Sequence, residues 1–412
     1  MSWRAAFAPL AEPNFAWYFV SRFSNTLGSM MAGVALTFAV LDITDSASAL
    51  GQVLAARTIP LVLFLLFGGV IADRFPRTIV LQLSNLLSAL TQGVVAWLVI
   101  SGSAELWMII VLEVLNGTVS AVSFPAMASM VPQLVPREQL QPANALLSLS
   151  RGGLTIVGPT IAALLVVTVG AGWALAVDAL TWLVAAVLLT RVRVPSRLAV
   201  EGNPGTLHEL RDGWTFFVGT TWLWVVVLAF GVLNAIHTGA WFTLGPVVAK
   251  DTIGVQGWGF VLSAESVGLL LMTVVLLRLE LRRPLLAGML GCSLMGVPMI
   301  ILGLDPQLVG LLLTTFVAGA GIELFNMGWN LAMQENIDDR MLSRAYSYDA
   351  LGSFVAMPVG QLIYGPLGEA FGYRDVLVVS GAIYLFVSLL VLSSRSVRNL
   401  PRAERVQGEV RT

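Results

Sequence analysis

The sequence predicts an all-α membrane protein of twelve transmembrane helices, arranged as two pseudo-symmetric six-helix bundles. Three observations carry that expectation. Of the 412 residues, 57% are hydrophobic and only 11% are charged, against about 25% charged in a soluble domain. Too little polar surface remains to cover a soluble protein of this size. Stretches of about 20 apolar residues, enough to cross a ~30 Å hydrocarbon layer, recur twelve times. The basic residues fall almost entirely on one side of the resulting map.

In chain order the expected spans are 14–41, 48–72, 78–101, 105–127, 143–168, 172–190, 217–249, 256–279, 284–304, 307–333, 345–365 and 373–394. The first is read as an uncleaved span, because Arg22 interrupts it and the apolar run continues to about Leu41. Most gaps are a few residues long, so sequential neighbours are antiparallel hairpins. Glycine and proline inside the spans are tolerated in membrane helices. With the N-terminus inside, 18 of the 23 basic residues lie in cytoplasmic segments. Lys250 and Arg374 lie outside, and Arg22, Arg57 and Arg151 lie within spans. That asymmetry places both termini in the cytoplasm.

The longest internal loop divides the chain. The expected units are an N-terminal six-helix bundle at 1–190, a cytoplasmic linker at 191–216, a C-terminal bundle at 217–394 and a cytoplasmic tail at 395–412. Within the linker, Thr206 and Glu209 have the spacing of a capping box. Leu207, Leu210 and Trp214 then share a face, as in a short interfacial helix. The halves look related: setting Val135–Gly158 against Ile337–Gly360 matches Leu140 with Leu342, Ala143 with Ala345 and Gly158 with Gly360. Internal repeats are characteristic of secondary transporters.

Several classes are disfavoured. A net charge of −1 gives no nucleic-acid signature. Cys292, His208 and His237 form no metal-ligand cluster, and no metal or other cofactor is expected. No phosphate-binding G-x-x-x-x-G-K-[ST] is present, and no compact catalytic set is visible, so the chain does not read as an enzyme. A membrane receptor or interaction protein is the alternative of another class.

The loop after the second span reads Gly69-Val-Ile-Ala-Asp73-Arg74-Phe-Pro-Arg77. It resembles the G-x-x-x-D-R-x-G-R-R signature of the major facilitator superfamily, with Pro76 in place of the second glycine. Gly152-Gly153 and Gly158-Pro159 in span 5 are similar to the glycine-proline pattern of drug antiporters. Ser48–Pro60 and Val131–Asn144 resemble the branch containing enterobactin exporters and macrolide-efflux proteins. The resemblance implies that Gly69, Asp73, Arg74 and Arg77 latch the cytoplasmic side while the outer side is open. It implies export of a drug-like or siderophore-like amphiphile by proton antiport, from a monomer in a bacterial cytoplasmic membrane. Uptake by a proton-coupled symporter of the same fold is the alternative. Drug antiporters often carry an arginine in span 4, four residues before a glycine. Glu113, before Gly117, occupies that position here.

A charge at mid-bilayer costs about 2.5–3.5 kcal/mol on insertion scales, so each should face the bundle interior or water. Arg22, Asn25 and Ser29 share one face of span 1, and Glu113, Asn116 and Ser120 one face of span 4. Asn234, His237 and Trp241 share a face of span 7, as do Glu323, Asn326 and Asn330 in span 10. In the resembled fold those four helices line the central cavity. The polar set Gln82, Asn85 and Gln92 on span 3 has no place in that scheme. Arg57 and Arg151 read as ion-pair partners, and Asp178 as lying near the outer interface. Proton coupling needs a carboxylate whose hydration changes as the cavity alternates, because burial favours its protonated form. Glu113, Glu265 and Glu323 are the candidates. Glu323 is preferred for its long polar stripe.

Overall fold

The computed structural model describes residues 7–128, 130–136, 139–193, 214–276, 281–337 and 339–400. Linker residues 194–213, which include most of the expected interfacial helix, and tail residues 401–412 lie outside this set. Twelve helices are long and apolar enough to cross a membrane, and no strand occurs among the described residues. They are α1 (Pro13–Thr44), α2 (Ala47–Arg74), α3 (Arg77–Ser101), α4 (Leu106–Ala128), α5 (Leu140–Val169), α6 (Ala171–Leu189), α7 (Thr221–Asp251), α8 (Gly254–Leu276), α9 (Pro284–Leu304), α10 (Leu308–Asn336), α11 (Asp339–Phe354 and Ala356–Phe371) and α12 (Tyr373–Leu390).

The twelve spans match the sequence map, with local differences that have identifiable causes. The seventh is not a uniform α-helix: His237–Leu244 winds as a π-helix. Within it Thr243 Oγ1 donates to the carbonyl of Thr238, five residues back, at 3.0 Å. Pro246, which has no N–H to give, follows at the first turn of the resumed helix. The ninth span is interrupted between Ser293 and Gly296, and the eleventh at Val355.

The packing repeats from half to half. In the first, α1 lies against α5 and α6, α2 against α4, and α3 against α4 and α6. In the second, α7 lies against α11 and α12, α8 against α10, and α9 against α10 and α12. Glycine makes the closest of these approaches possible. A methyl group on Gly117 of α4 would overlap the Arg57 carbonyl of α2, and one on Gly319 of α10 would overlap the Glu265 carbonyl of α8. Gly158 meets Met30 of α1 in the same way, and Gly360 meets Ala235 of α7. The Gly158–Gly360 match read from sequence is therefore a match of packing roles.

The halves meet along two seams, α2 with α11 and α5 with α8. On the second seam Thr160 Oγ1 and Ser263 Oγ share a 2.7 Å hydrogen bond. Ser263 Oγ also donates to the Ile156 carbonyl at 2.6 Å, and Ser266 Oγ to the Thr155 carbonyl at 3.1 Å. Hydroxyls donating to helix carbonyls can tie apolar helices together where water is absent.

Candidate functional site

A cavity of about 350 Å³ lies between the halves, within the range of small-molecule sites. Its wall comes from α1, α2, α5, α7, α8 and α11, and is mostly apolar: Met30, Val34, Phe242, Trp258 and Leu262 are representative. The π-helical turn of α7 brings Thr238 and Phe242 to this surface. Pro159 of the glycine-proline pair and Gln361, its counterpart beside Gly360, also line it. One charged residue reaches the cavity, Glu265. The buried indole Nε1 of Trp241 is directed at that carboxylate but falls short of hydrogen-bond geometry. Trp241 itself is fully buried, with its ring 4.9 Å from that of Trp258.

At one end of the bundle, where α1 turns into α2, polar contacts bind the two halves. Lys250 Nζ, at the end of α7, lies 3.0 Å from Asp45 Oδ1 and 3.2 Å from Asp42 Oδ1. It also donates to the Leu41 carbonyl at 3.2 Å. Asp45 ends α1 in the left-handed region, φ 50°, which an aspartate tolerates better than most residues. Nearby, Glu369 Oε1 of α11 accepts from Ser46 Oγ at 2.9 Å and from the Ser48 amide at 3.2 Å. Sequence reading placed Lys250 outside the membrane but gave it no partner, because its partners lie some 200 residues away on the other half.

A second polar cluster fills the first half. Glu113 is fully buried: its Oε1 accepts from Gln92 Nε2 at 2.9 Å, and its Oε2 lies 3.9 Å from Arg57 Nη1. Asn116 accepts from Ser88 at 3.3 Å, and Asn25 donates to Asn85 at 3.4 Å. Polar residues of α3 thus bond to α1 and α4 inside the half. Asp178 of α6 is buried beside Gly28 and Thr181, and neither carboxylate oxygen has a hydrogen-bond partner. Glu113 is the acidic residue within ion-pair distance of Arg57.

The remaining polar residues sit elsewhere. Arg22 donates to Asn25 Oδ1 at 3.3 Å and to Met127 Sδ at 2.6 Å, and shares a second cavity of about 290 Å³ with Tyr18, Asn144 and Arg151. Asn234 donates to the Ser353 carbonyl at 3.4 Å. Glu323 is half-buried and accepts from Thr273 Oγ1 at 3.0 Å. Asn330 accepts from Tyr346 at 3.1 Å and donates to the Asn326 carbonyl at 2.8 Å. None of these stripe residues lines the 350 Å³ cavity, to which α4 and α10 contribute no side chain. Arg77 is half-buried, while the side chains of Gly69, Asp73 and Arg74 lie outside the described residues.

Residues 4–409 match the family described as Transmembrane secretion effector. The chain belongs to this family of major facilitator superfamily transporters. The transporter is 23% identical over 385 residues to macrolide efflux protein A of Streptococcus pyogenes, covering 91% of this chain and 94% of that one. It is 25% identical to the multidrug efflux pump Tap of Mycolicibacterium fortuitum, over 92% and 95% of the two chains. The enterobactin exporter EntS of Shigella boydii is 25% identical over about half of each chain. Among solved structures, the nucleoside transporter NupG superposes with a TM-score of 0.74 at 13% identity, covering 92% of this chain and 99% of that one. A bacterial homolog of the lysosomal transporter Spinster, inward-facing and occupied, gives 0.71 at 12% identity over 94% and 97%. These relatives are transporters, and the transporter described here is a multi-pass membrane protein rather than an enzyme.

Proposed function

We propose that this transporter exports amphiphilic small molecules from the bacterial cytoplasm, by alternating access and in exchange for protons. The observation that carries the reading is the cavity between two repeated halves whose polar closure, through Lys250 and Glu369, lies at one end of the bundle. The arginine distribution supports an outer position for that end. The conformation then corresponds to an outward path shut by the latch, with substrate admitted from the cytoplasm or inner leaflet. Rocking of the halves about the α2–α11 and α5–α8 seams would break the Lys250 contacts and expose the cavity to the exterior. Each half, bounded near 190 and 217, moves as a unit, and a monomer suffices.

Export as the direction is supported by the macrolide, multidrug and enterobactin relatives. Among the coupling candidates, Glu323 carries the proton in this reading. It is half-buried on the side of α10 that meets α8, where its carboxylate accepts a hydrogen bond from Thr273. Gly69, Asp73, Arg74 and Arg77 form the opposing cytoplasmic latch.

The test is flux. Cells expressing the chain and preloaded with radiolabelled erythromycin or with ethidium should lose the probe faster than cells without it, and a protonophore should remove the difference. Glu323→Gln should abolish efflux driven by a pH gradient. Faster accumulation in place of faster loss would assign uptake symport, and full gradient-driven efflux in the Gln variant would remove Glu323 from the coupling role.

A further inference from the structure

We propose that Glu265 is the counter-ion for a positively charged group on the substrate, so that the central cavity selects lipophilic cations. The inference rests on the transporter reading above and assigns its substrate class.

The first observation is a broken symmetry. Arg57 follows Gly51 by six residues on α2, and Glu265 follows Gly259 by six residues on α8. Gly51 packs on Gln361 of α11, and Gly259 packs on Pro159 of α5, so the two seams between the halves are equivalent. Arg57 is clamped by Gly117, and Glu265 by Gly319, at equivalent points of the two halves. The residue four positions before Gly117 is Glu113, which pairs with Arg57. The residue four positions before Gly319 is Thr315, whose hydroxyl donates to the Leu311 carbonyl at 2.6 Å. The first half therefore holds a cation with its anion. The second holds an anion at the equivalent place, and its own scaffold supplies no cation.

The second observation is where that anion points. Glu265 is the one charged residue lining the 350 Å³ cavity, and among the described residues no lysine, arginine or histidine acts on it. An ionised carboxylate in such surroundings is costly unless paired. The rest of the wall is uncharged and mostly apolar: Phe242 and Trp258 line it, Trp241 packs against Trp258, and Gln361 and a few hydroxyls supply its polar atoms. Aromatic faces attract organic cations, and the apolar wall suits a bulky hydrophobic body. An anionic ligand would meet like charge with no cation in the wall to offset it. The Gly319 contact holds the α8 backbone at Glu265 close against α10.

The probe pair is tetraphenylphosphonium and uncharged triphenylphosphine oxide, which share aryl groups and differ in charge. Binding to the purified full-length protein is read from quenching of tryptophan fluorescence and by isothermal titration. Wild type should prefer the cation. Glu265→Gln should weaken cation binding at least tenfold, about 1.4 kcal/mol, and leave oxide binding within twofold. Glu265→Asp should keep the preference. Unchanged oxide binding in the Gln variant shows that the cavity has folded. Equal affinity of wild type for the two probes, or equal cation affinity in wild type and Glu265→Gln, overturns the proposal. Because binding needs neither a gradient nor flux, these results are independent of the efflux measurement, whose failure would instead remove the export reading.

Discussion

Replacing Lys250 with methionine should loosen the closed end of the bundle by a definable amount. One ammonium serves three oxygens there: Asp45 Oδ1 at 3.0 Å, Asp42 Oδ1 at 3.2 Å and the Leu41 carbonyl at 3.2 Å. Both aspartates are largely exposed, so each ion pair contributes on the order of 0.2–1 kcal/mol. A hydrogen bond from a charged donor to a carbonyl adds roughly 1 kcal/mol net. Together they favour the closed arrangement by about 1.4–3 kcal/mol, and their loss should multiply the open-to-closed ratio by roughly 10–160. Methionine keeps most of the apolar stem, so packing along the rest of α7 is little disturbed. The measurement is a distance distribution from spin labels at Ile43→Cys and Thr252→Cys, with the buried Cys292 replaced by serine. These sites flank the latch without joining it. In Lys250→Met a longer-distance population should grow at the expense of the short one. Asp45→Asn should produce a smaller shift alone and little further change in the Lys250→Met background, because the two side chains act through one contact. A distance distribution unchanged by Lys250→Met would refute the latch, and additive shifts would refute the pairing with Asp45.

Other substitutions test the packing and the buried charges. Gly319→Ala should lower thermal stability by about 1–3 kcal/mol or more through overpacking at the Glu265 carbonyl, whereas Gly33→Ala, whose added methyl meets nothing within 4 Å, should leave the unfolding midpoint nearly unchanged. Glu113→Gln should destabilise the first half, since removing one partner of a buried pair costs about 3–5 kcal/mol, reduced here by the partial exposure of Arg57. Adding Arg57→Met should recover part of that loss, and a double variant less stable than either single one would contradict the ion-pair assignment. Asp73→Asn should reduce efflux while membrane abundance stays intact. Unchanged efflux would reduce the motif to a topological anchor.

The twelve spans were legible because the bilayer imposes a length and a composition that each helix satisfies alone, as in Tyr373–Leu390 or Leu106–Ala128. The repeat was legible through Gly158 and Gly360, where close packing restricts the residue. The central wall was not. A polar stripe at helical spacing says which residues share a face, but not whether that face meets a neighbour or a cavity. On α1 and α4 the stripe residues Asn25, Glu113 and Asn116 bond to Asn85, Gln92 and Ser88 of α3, so two members of the set that had no place in the scheme, Asn85 and Gln92, are among what occupies them. The π-helical turn of α7 had no periodic signature, although Gly239, Gly245 and Pro246 mark a stretch where a regular ladder is weakened.

What distinguishes the cavity is a difference between the halves, and only superposing the repeats reveals it. In isolation Glu265 is one of three intramembrane glutamates. Glu113 has Arg57 and Gln92, and Glu323 has Thr273. Glu265 has a tryptophan that falls short of a bond and a cavity in front of it. A scaffold that pairs its charge in one half and leaves the equivalent charge open in the other has kept a valence for something that is not part of the chain. Because the same residue is clamped by Gly319 on the α8–α10 contact, a ligand that fills that valence also bears on the helix pair that holds Glu323.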